Sequence, residues 1–321
     1  MNEPLVSVVM PTYNHAHFIK EAIDSVLGQT YNNLELIIVD NYSEDETREV
    51  IEGYTDDRIR YMQFRNNGII AASRNRGIEQ AQGDYVAFID SDDAWLPEKI
   101  RLQVDVMQSD TRRGISFGKF KVISPDAVET GKIMGPKDPH MPAGVYARLI
   151  KANFIVSSST LVRKKALNDV GHFDESPELR CSEDFDLWLR ILRKYRPAFV
   201  DEIVGVYRMH ATNQSGDELR LKRALAVIDK HFKNGWIDQY VADAARASFY
   251  FQVGWTLVGK EPRRAREYCR QAIKHHPTNP RILAVSSLAI GLSAVPGVYQ
   301  YLRKHKMDKR LSERTINHQN L

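Results

Sequence analysis

The sequence predicts an α/β fold, a Rossmann-like, mostly parallel sheet flanked by helices, followed by an α-helical C-terminal region. Three observations predict it. Short apolar runs alternate with helical periodicities over the first hundred residues. Each apolar run ends in polar or acidic residues, at Tyr13-Asn14, Asp40 and Asp90. Past Ser215 the pattern becomes helical throughout. The expected domains are therefore 1–215, in two halves of 1–109 and 110–215, and a helical region over 216–321.

Each element follows from its own residues. LVSVVM, residues 5–10, is bounded by prolines and reads as a buried strand. Phe18, Ile19, Ala22, Ile23, Val26 and Leu27 repeat at helical spacing. LELIIV, 34–39, is a second strand ending at Asp40, and Ser43 with Glu46 reads as a capping box opening a helix to about Gly53. RIRYMQF, 58–64, alternates as a third strand, 69–82 is helical, and YVAFID is a fourth strand. Gly77 inside the helical pattern implies close packing on the sheet, and Pro97 suits the first turn of the next helix. Pro125 to Gly144 reads as a loop. Small residues at Ala244, Ala245, Ala247, Ala265 and Ala272 suggest two closely packed helices within 241–277.

Composition sets the outer limits. The chain has 321 residues, 27% charged and 43% apolar, as a soluble globular protein does. A net charge of +4 without a basic arm argues against nucleic acid. Two cysteines, Cys181 and Cys269, exclude a disulfide framework and a structural zinc site. MNEPLVSVVMPTYN lacks the pattern of a signal peptide, so a cytoplasmic location is expected. ILAVSSLAIGLSAVPGVYQYL, 282–302, has no charge and precedes RKHKMDKR. It reads either as a buried helical hairpin or as an interfacial segment, 282–310, touching anionic lipid at the inner face of the membrane.

Chemistry concentrates where the strands end. Asp90-Ser91-Asp92-Asp93 places three carboxylates together after a buried strand. One could cap a helix, but three repel unless a cation joins them, and hard oxygen ligands suit Mg²⁺ or Mn²⁺. In PTYNHAHFI, either Tyr13 packs on a base and Asp40 accepts from one, or Asn14 caps the first helix and Tyr13 simply packs, while His15 and His17 read as structural or solvent-facing. Arg74 pairs either with a phosphate or with the aspartates themselves, and Arg76 belongs to a solvated face. Glu183, Asp184 and Asp186 fall in the first turn of a helix capped by Ser182, where the dipole favours them and where one could act as a general base. Arg208 and His210 share a face at a strand end, as a structural pair or as partners of a diphosphate and its metal.

Taken together, VSVVMPTYNH, LELIIVDNYSEDET, NNG…ASRNRG, YVAFIDSDDAW, VGHFDE, SEDFDLWLRI and YRMH resemble the family-2 glycosyltransferases of GT-A fold over roughly residues 4–215. The resemblance implies inverting transfer from a nucleotide diphosphate sugar, UDP by default, to a saccharide or lipid-linked acceptor in cell-surface glycan synthesis. Residues 1–109 would bind the nucleotide sugar and 110–215 the acceptor. Pro11, Thr12, Tyr13 and Asp40 would hold base and ribose, and Asn67, Arg74, Asp90, Ser91 and Arg208 would complete the donor site. Asp92, Asp90 and His210 would face a Mn²⁺ or Mg²⁺ ion, and Asp184 would be the base. One departure is Asp40-Asn41, where the family often has two aspartates; a second is Tyr42-Ser43 in place of its GS turn. A nucleotidyltransferase would need a Gly- and Lys/Arg-rich phosphate loop where this chain has PTYNH. A non-catalytic platform of the same fold, with the helical tail as an interaction surface, is the remaining alternative.

Overall fold

The computed structural model describes residues 3–136, 144–209, 217–258 and 260–294. Two compact units emerge: residues 1–146 with 154–214, and residues 147–153 with 215–321.

The first unit begins as the alternating pattern predicts. Strand β1 (Val6–Thr12), helix α1 (Ala16–Leu27), β2 (Leu34–Asp40), α2 (Thr47–Glu52), β3 (Ile59–Gln63), α3 (Ile70–Gln80) and β4 (Tyr85–Phe88) follow in order. Every residue of β1, β2 and β4 is buried, which is why these strands read as continuous apolar runs. β3, at the edge, is mostly half-buried and keeps its alternation. The four strands lie parallel in the order β3-β2-β1-β4.

After β4 come β5 (Ala94–Trp95), α4 (Lys99–Gln108), β6 (Arg113–Ile123), β7 (Glu129–Met134), α5 (Val145–Leu149), β8 (Leu161–Arg163), α6 (Lys164–Val170), α7 (Glu183–Lys194) and β9 (Arg196–Arg208). Here the sheet becomes mixed. β8 runs antiparallel to β4 and β6, β9 is parallel to β6, and β5 is antiparallel to β9. The stretch read as a loop from Pro125 holds an exposed strand, β7, antiparallel to β6.

Two local expectations are corrected. Ser43 and Glu46 do not form a capping box: α2 starts at Thr47, and the Ser43 hydroxyl donates to Asp40 Oδ1 at 2.6 Å instead. An acidic partner three residues back outcompetes a helix amide further on. Pro97 stands two residues ahead of α4, where its carbonyl accepts the Thr30 amide at 3.0 Å. Gly77 does pack on the sheet. A Cβ there would lie 2.3 Å from Val9 Cγ1, so Gly77→Ala must push α3 off β1. Overpacking of this kind costs about 1–3 kcal/mol. Urea unfolding of Gly77→Ala should show that loss, and an unchanged midpoint would disprove the tight contact.

The second unit is helical: α8 (Asp217–Lys233), α9 (Gln239–Leu257), α10 (Pro262–His275) and α11 (Pro280–Ala294). Ala244, Ala245, Ala247, Ala265 and Ala272 are buried, and α9 and α10 pack on each other as the small residues suggest. No described helix is long and apolar enough to cross a membrane.

Candidate active site

Parallel strands bring their carboxyl ends to one edge. Thr12 lies opposite Asp40 in the β1–β2 register, and the Ile89 amide bonds Val9 O at 3.2 Å, so the chain after β1, β2 and β4 emerges together. Side chains stitch these three exits. The Asn14 amide donates to Ser43 Oγ at 2.9 Å, the Glu44 amide to Asn14 Oδ1 at 2.8 Å, and His15 Nδ1 lies 2.7 Å from Ser91 Oγ. Asn14 and Tyr42 hold left-handed φ of 53° and 59° at the two turns. His15, read as structural, ties the first turn to the acidic loop.

Pro11 is buried within β1. Thr12 is buried, and among the described residues its hydroxyl has no hydrogen-bond partner. Tyr13 is 47% exposed on the rim. Asp40 is fully buried. Its Oδ1 accepts the Ser43 amide and hydroxyl, and its Oδ2 accepts the Tyr61 hydroxyl at 2.9 Å. Burial first, and the Asp40 bond second, push the Tyr61 phenol up. Asp40 therefore fixes the turn carrying Asn41 and Tyr42. Asn67 is exposed in a left-handed turn, φ 53°.

The acidic loop is neutralised in two ways, of which the sequence offered the first as one of two readings. Arg74, buried on α3, forks between Asp90 Oδ1 and Glu183 Oε1, each at 2.7 Å. Burial opposes the charge on Arg74, but Asp90 and Glu183 hold its pKa above the ordinary value. Of the two readings of Arg74, the geometry realises the pairing with carboxylates. Asp93 is satisfied differently. The Ser158 hydroxyl donates to its Oδ2 at 2.6 Å and the Arg208 amide to its Oδ1 at 3.2 Å. Burial, then the neighbouring Asp92 and Asp90, raise the Asp93 carboxyl well above the usual range.

Ser158 also accepts the Asp90 amide at 3.1 Å. Its segment is held from α4 and β5: Trp95 Nε1 donates to Ser158 O at 2.7 Å, Gln103 Nε2 to Ser159 O at 2.8 Å, and Lys99 Nζ to Thr160 O at 3.0 Å. Ser91 is buried and Asp92 half-buried.

Arg208 is buried. Its Nε donates to Asp92 O at 3.2 Å, its Nη1 to Pro125 O at 3.1 Å, and its Nη2 to Glu21 at 2.5 Å. It braces the loop under Asp92, a structural role other than the Arg208–His210 pair that the sequence suggested. His210 lies outside the described residues.

Helix α7 brings the other acids. Ser182 occupies its cap position without a side-chain cap bond; the Phe185 amide bonds Asp184 Oδ1 at 2.6 Å instead. Asp186 is buried and pairs with Arg190 Nε at 2.8 Å, so it is structural. Glu183 is buried with Oε2 unpartnered, and it points to Arg74. Asp184 keeps a partly exposed surface. Burial and then the Glu183 charge raise its carboxyl to about 7, against the pull of Arg74. An Asp90–Arg74–Glu183 chain thus joins the strand-end loop to the residue beside Asp184. No sequence signal announces it, because Arg74 and Glu183 lie 109 residues apart.

A family model described as Glycosyl transferase family 2 matches residues 7–171. The chain belongs to glycosyl transferase family 2. Within that family it is similar to a UDP-Glc:alpha-D-GlcNAc-diphosphoundecaprenol beta-1,3-glucosyltransferase, WfgD, of Escherichia coli. They are 32% identical over 239 residues, covering 73% of this chain and 89% of WfgD. An uncharacterized glycosyltransferase of Rickettsia felis is 33% identical over 217 residues; the match covers 66% of this chain and 35% of that protein. Among solved structures, S. aureus TarS 1-349 in complex with UDP-GlcNAc superposes with TM-score 0.63, covering 92% of this chain and 91% of that one. At 18% identity this likeness supports the GT-A fold alone.

Proposed function

We propose that this family-2 glycosyltransferase inverts the anomeric carbon as it moves a sugar from a nucleotide diphosphate donor, UDP-linked, to a lipid-linked saccharide in cell-surface polysaccharide synthesis. The observation that carries the reading is Asp184, a carboxylate with its pKa raised to about 7, joined through Glu183 and Arg74 to Asp90 at the strand ends. WfgD, named for a UDP-Glc donor and a diphosphoundecaprenol acceptor, supports the choice of substrates.

In this mechanism Asp184 takes the proton from the acceptor hydroxyl as that hydroxyl attacks. A base with pKa near the working pH is ionised often enough, and still basic enough, to accept that proton. Thr12 and Tyr13 lie beside the turn fixed by Asp40 and hold base and ribose, with Pro11 behind them. Asn67 and Ser91 complete the donor site. Arg74 orients Asp90, and Arg208 braces the loop. The chemistry binds donor and acceptor together so that attack is in line.

The donor set suits a hard divalent cation, Mn²⁺ or Mg²⁺. Asp92 is half-buried on the loop, and Arg74 engages one oxygen of Asp90. Among the described residues no three His, Cys, Asp or Glu side chains form a metal cage. Asp92 and Asp90 would therefore share the ion with substrate phosphates, with His210 as a further ligand, the usual arrangement for Mg²⁺. When bound, the ion supplies Lewis-acid stabilisation of the departing diphosphate.

A lipid-linked acceptor would bring the enzyme to the inner face of the membrane, with contact through segment 282–310, of which 295–310 lie outside the described residues. The test is free-nucleotide release from UDP-, GDP- and dTDP-sugars with Mn²⁺, Mg²⁺ or EDTA. Release from a UDP-sugar alone, abolished by EDTA, is the expected result. Release undiminished by EDTA would remove the metal, and absence of both release and nucleotide binding would remove the donor site.

A further inference from the structure

Charge is divided unevenly along the chain. Residues 215–321 carry 19 Lys and Arg against 9 Asp and Glu, a net +10. Residues 1–214 carry 26 against 32, a net −6. The near-neutral total conceals a basic helical region that follows an acidic one.

Part of that surplus is organised on α10. Ala265, Cys269 and Ala272 form its buried face. On the opposite side Arg263, Arg266, Arg270 and Lys274 recur at spacings of three, four and four. At α-helical geometry they fall within an arc of about 80° along roughly 16 Å of axis. Arg263, Arg270 and Lys274 are exposed and Arg266 half-exposed. Their neighbour Arg264 behaves differently, pairing with Glu218 and Glu261. Among the described residues none of the four has a carboxylate partner, although Glu267 shares their face. Four cations without carboxylate partners on one side of a helix leave a positive stripe open to an anionic partner.

The adjacent helix narrows the choice. α11 packs on α10 and contains no charge from Ile282 onward, and Leu288 on it is 41% exposed. A nucleic acid or an acidic protein would satisfy the arginines but would make less use of the uncharged exposed side of α11, where Leu288 lies. An anionic bilayer surface satisfies both, with phosphates on the basic stripe and apolar side chains at the acyl boundary. Neither helix is long and apolar enough to span that bilayer.

We propose that α10 and α11 form a docking surface for the anionic headgroups of a lipid bilayer, with Arg263, Arg266, Arg270 and Lys274 as its phosphate contacts. This rests on the reading of a lipid-linked acceptor and names the protein surface that meets the membrane. The contact is electrostatic at long range and interfacial at short range. Each cation held near an anionic leaflet strengthens binding about fivefold, and the effect fades within a Debye length.

The experiment is co-sedimentation of the full chain with vesicles of phosphatidylglycerol and phosphatidylcholine, or of phosphatidylcholine alone, at about 0.1 and about 0.5 M salt. The expected result is binding to the anionic vesicles that weakens at least tenfold at the higher salt. The variant Arg263→Gln/Arg266→Gln/Arg270→Gln/Lys274→Gln should bind at least about thirtyfold more weakly, given the fivefold expected per cation. Its circular dichroism and its donor hydrolysis in solution should match the parent's. Equal binding by the variant, equal binding to uncharged vesicles, or no binding by the parent would each overturn the proposal. So would retention of polyuridylate as tight as that of the vesicles and lost in the same variant, which would make the face a polyanion site. Because donor hydrolysis is read on the same samples, failure of the transferase reading shows separately.

Discussion

Asp184→Asn is expected to lower sugar transfer by roughly 10²–10⁴-fold, the contribution of a general base, while nucleotide affinity stays within a few-fold of the parent. The same substitution should stabilise the protein. Asp184 has its carboxyl raised to about 7 by burial and by Glu183. An aspartate whose folded pKa lies above its unfolded value of about 3.9 binds its proton more tightly when folded, so ionising it opposes folding. That penalty is absent below about pH 4, grows between pH 4 and 7, and is complete above 7. Asparagine removes it. Discounted for the exposed edge of the side chain, the gain at pH 8 should be roughly 1–3 kcal/mol, with none at pH 4. Parallel urea titrations at the two pH values measure it. In the parent, kcat/KM should rise with pH through an acid limb near 7. An active, unstabilised variant would reassign the base.

The second large effect belongs to Arg74. Arg74→Leu would leave Asp90 and Glu183 without their shared cation, and Glu183 is buried with an unpartnered oxygen already. Breaking a buried pair from one side costs about 3–5 kcal/mol. Arg74→Lys should recover only part of this, because an ammonium cannot fork between two carboxylates as a guanidinium does. Stability should follow the order Arg, Lys, Leu in urea unfolding, with turnover falling in step. A leucine variant as stable as the parent would mean that the two carboxylates find other partners.

The parallel half of the sheet was legible because β1, β2 and β4 are buried on both faces and spell it in continuous apolar runs, whereas β5, β6 and β8 were not read. β7 was hidden because an exposed strand at the sheet edge shows no apolar pattern, and its Gly131 reads like a loop residue. The carboxylates of the site were legible as types at strand and helix ends. Of their partners only Arg74 was legible, and only toward the aspartates. The pairing of Arg74 with Glu183 and of Ser158 with Asp93 depends on which elements the fold places side by side, 109 and 65 residues apart. The same holds for Asp40: its position at a strand end can be read from sequence, but its engagement by Tyr61 comes from the neighbouring strand.

Gly77 sits one turn beyond Arg74 on α3, resting against Val9 of β1. Its missing side chain sets the clearance between helix and sheet, and that clearance decides how far the guanidinium of Arg74 must reach. The bonds to Asp90 and Glu183 are both 2.7 Å long, so a shift of the helix by a methyl group's width must be taken up by the arginine side chain. The glycine therefore works as a spacer: a hydrogen atom at the helix–sheet contact lets α3 lie close on β1, with Arg74 carried on the same helix between its two carboxylates.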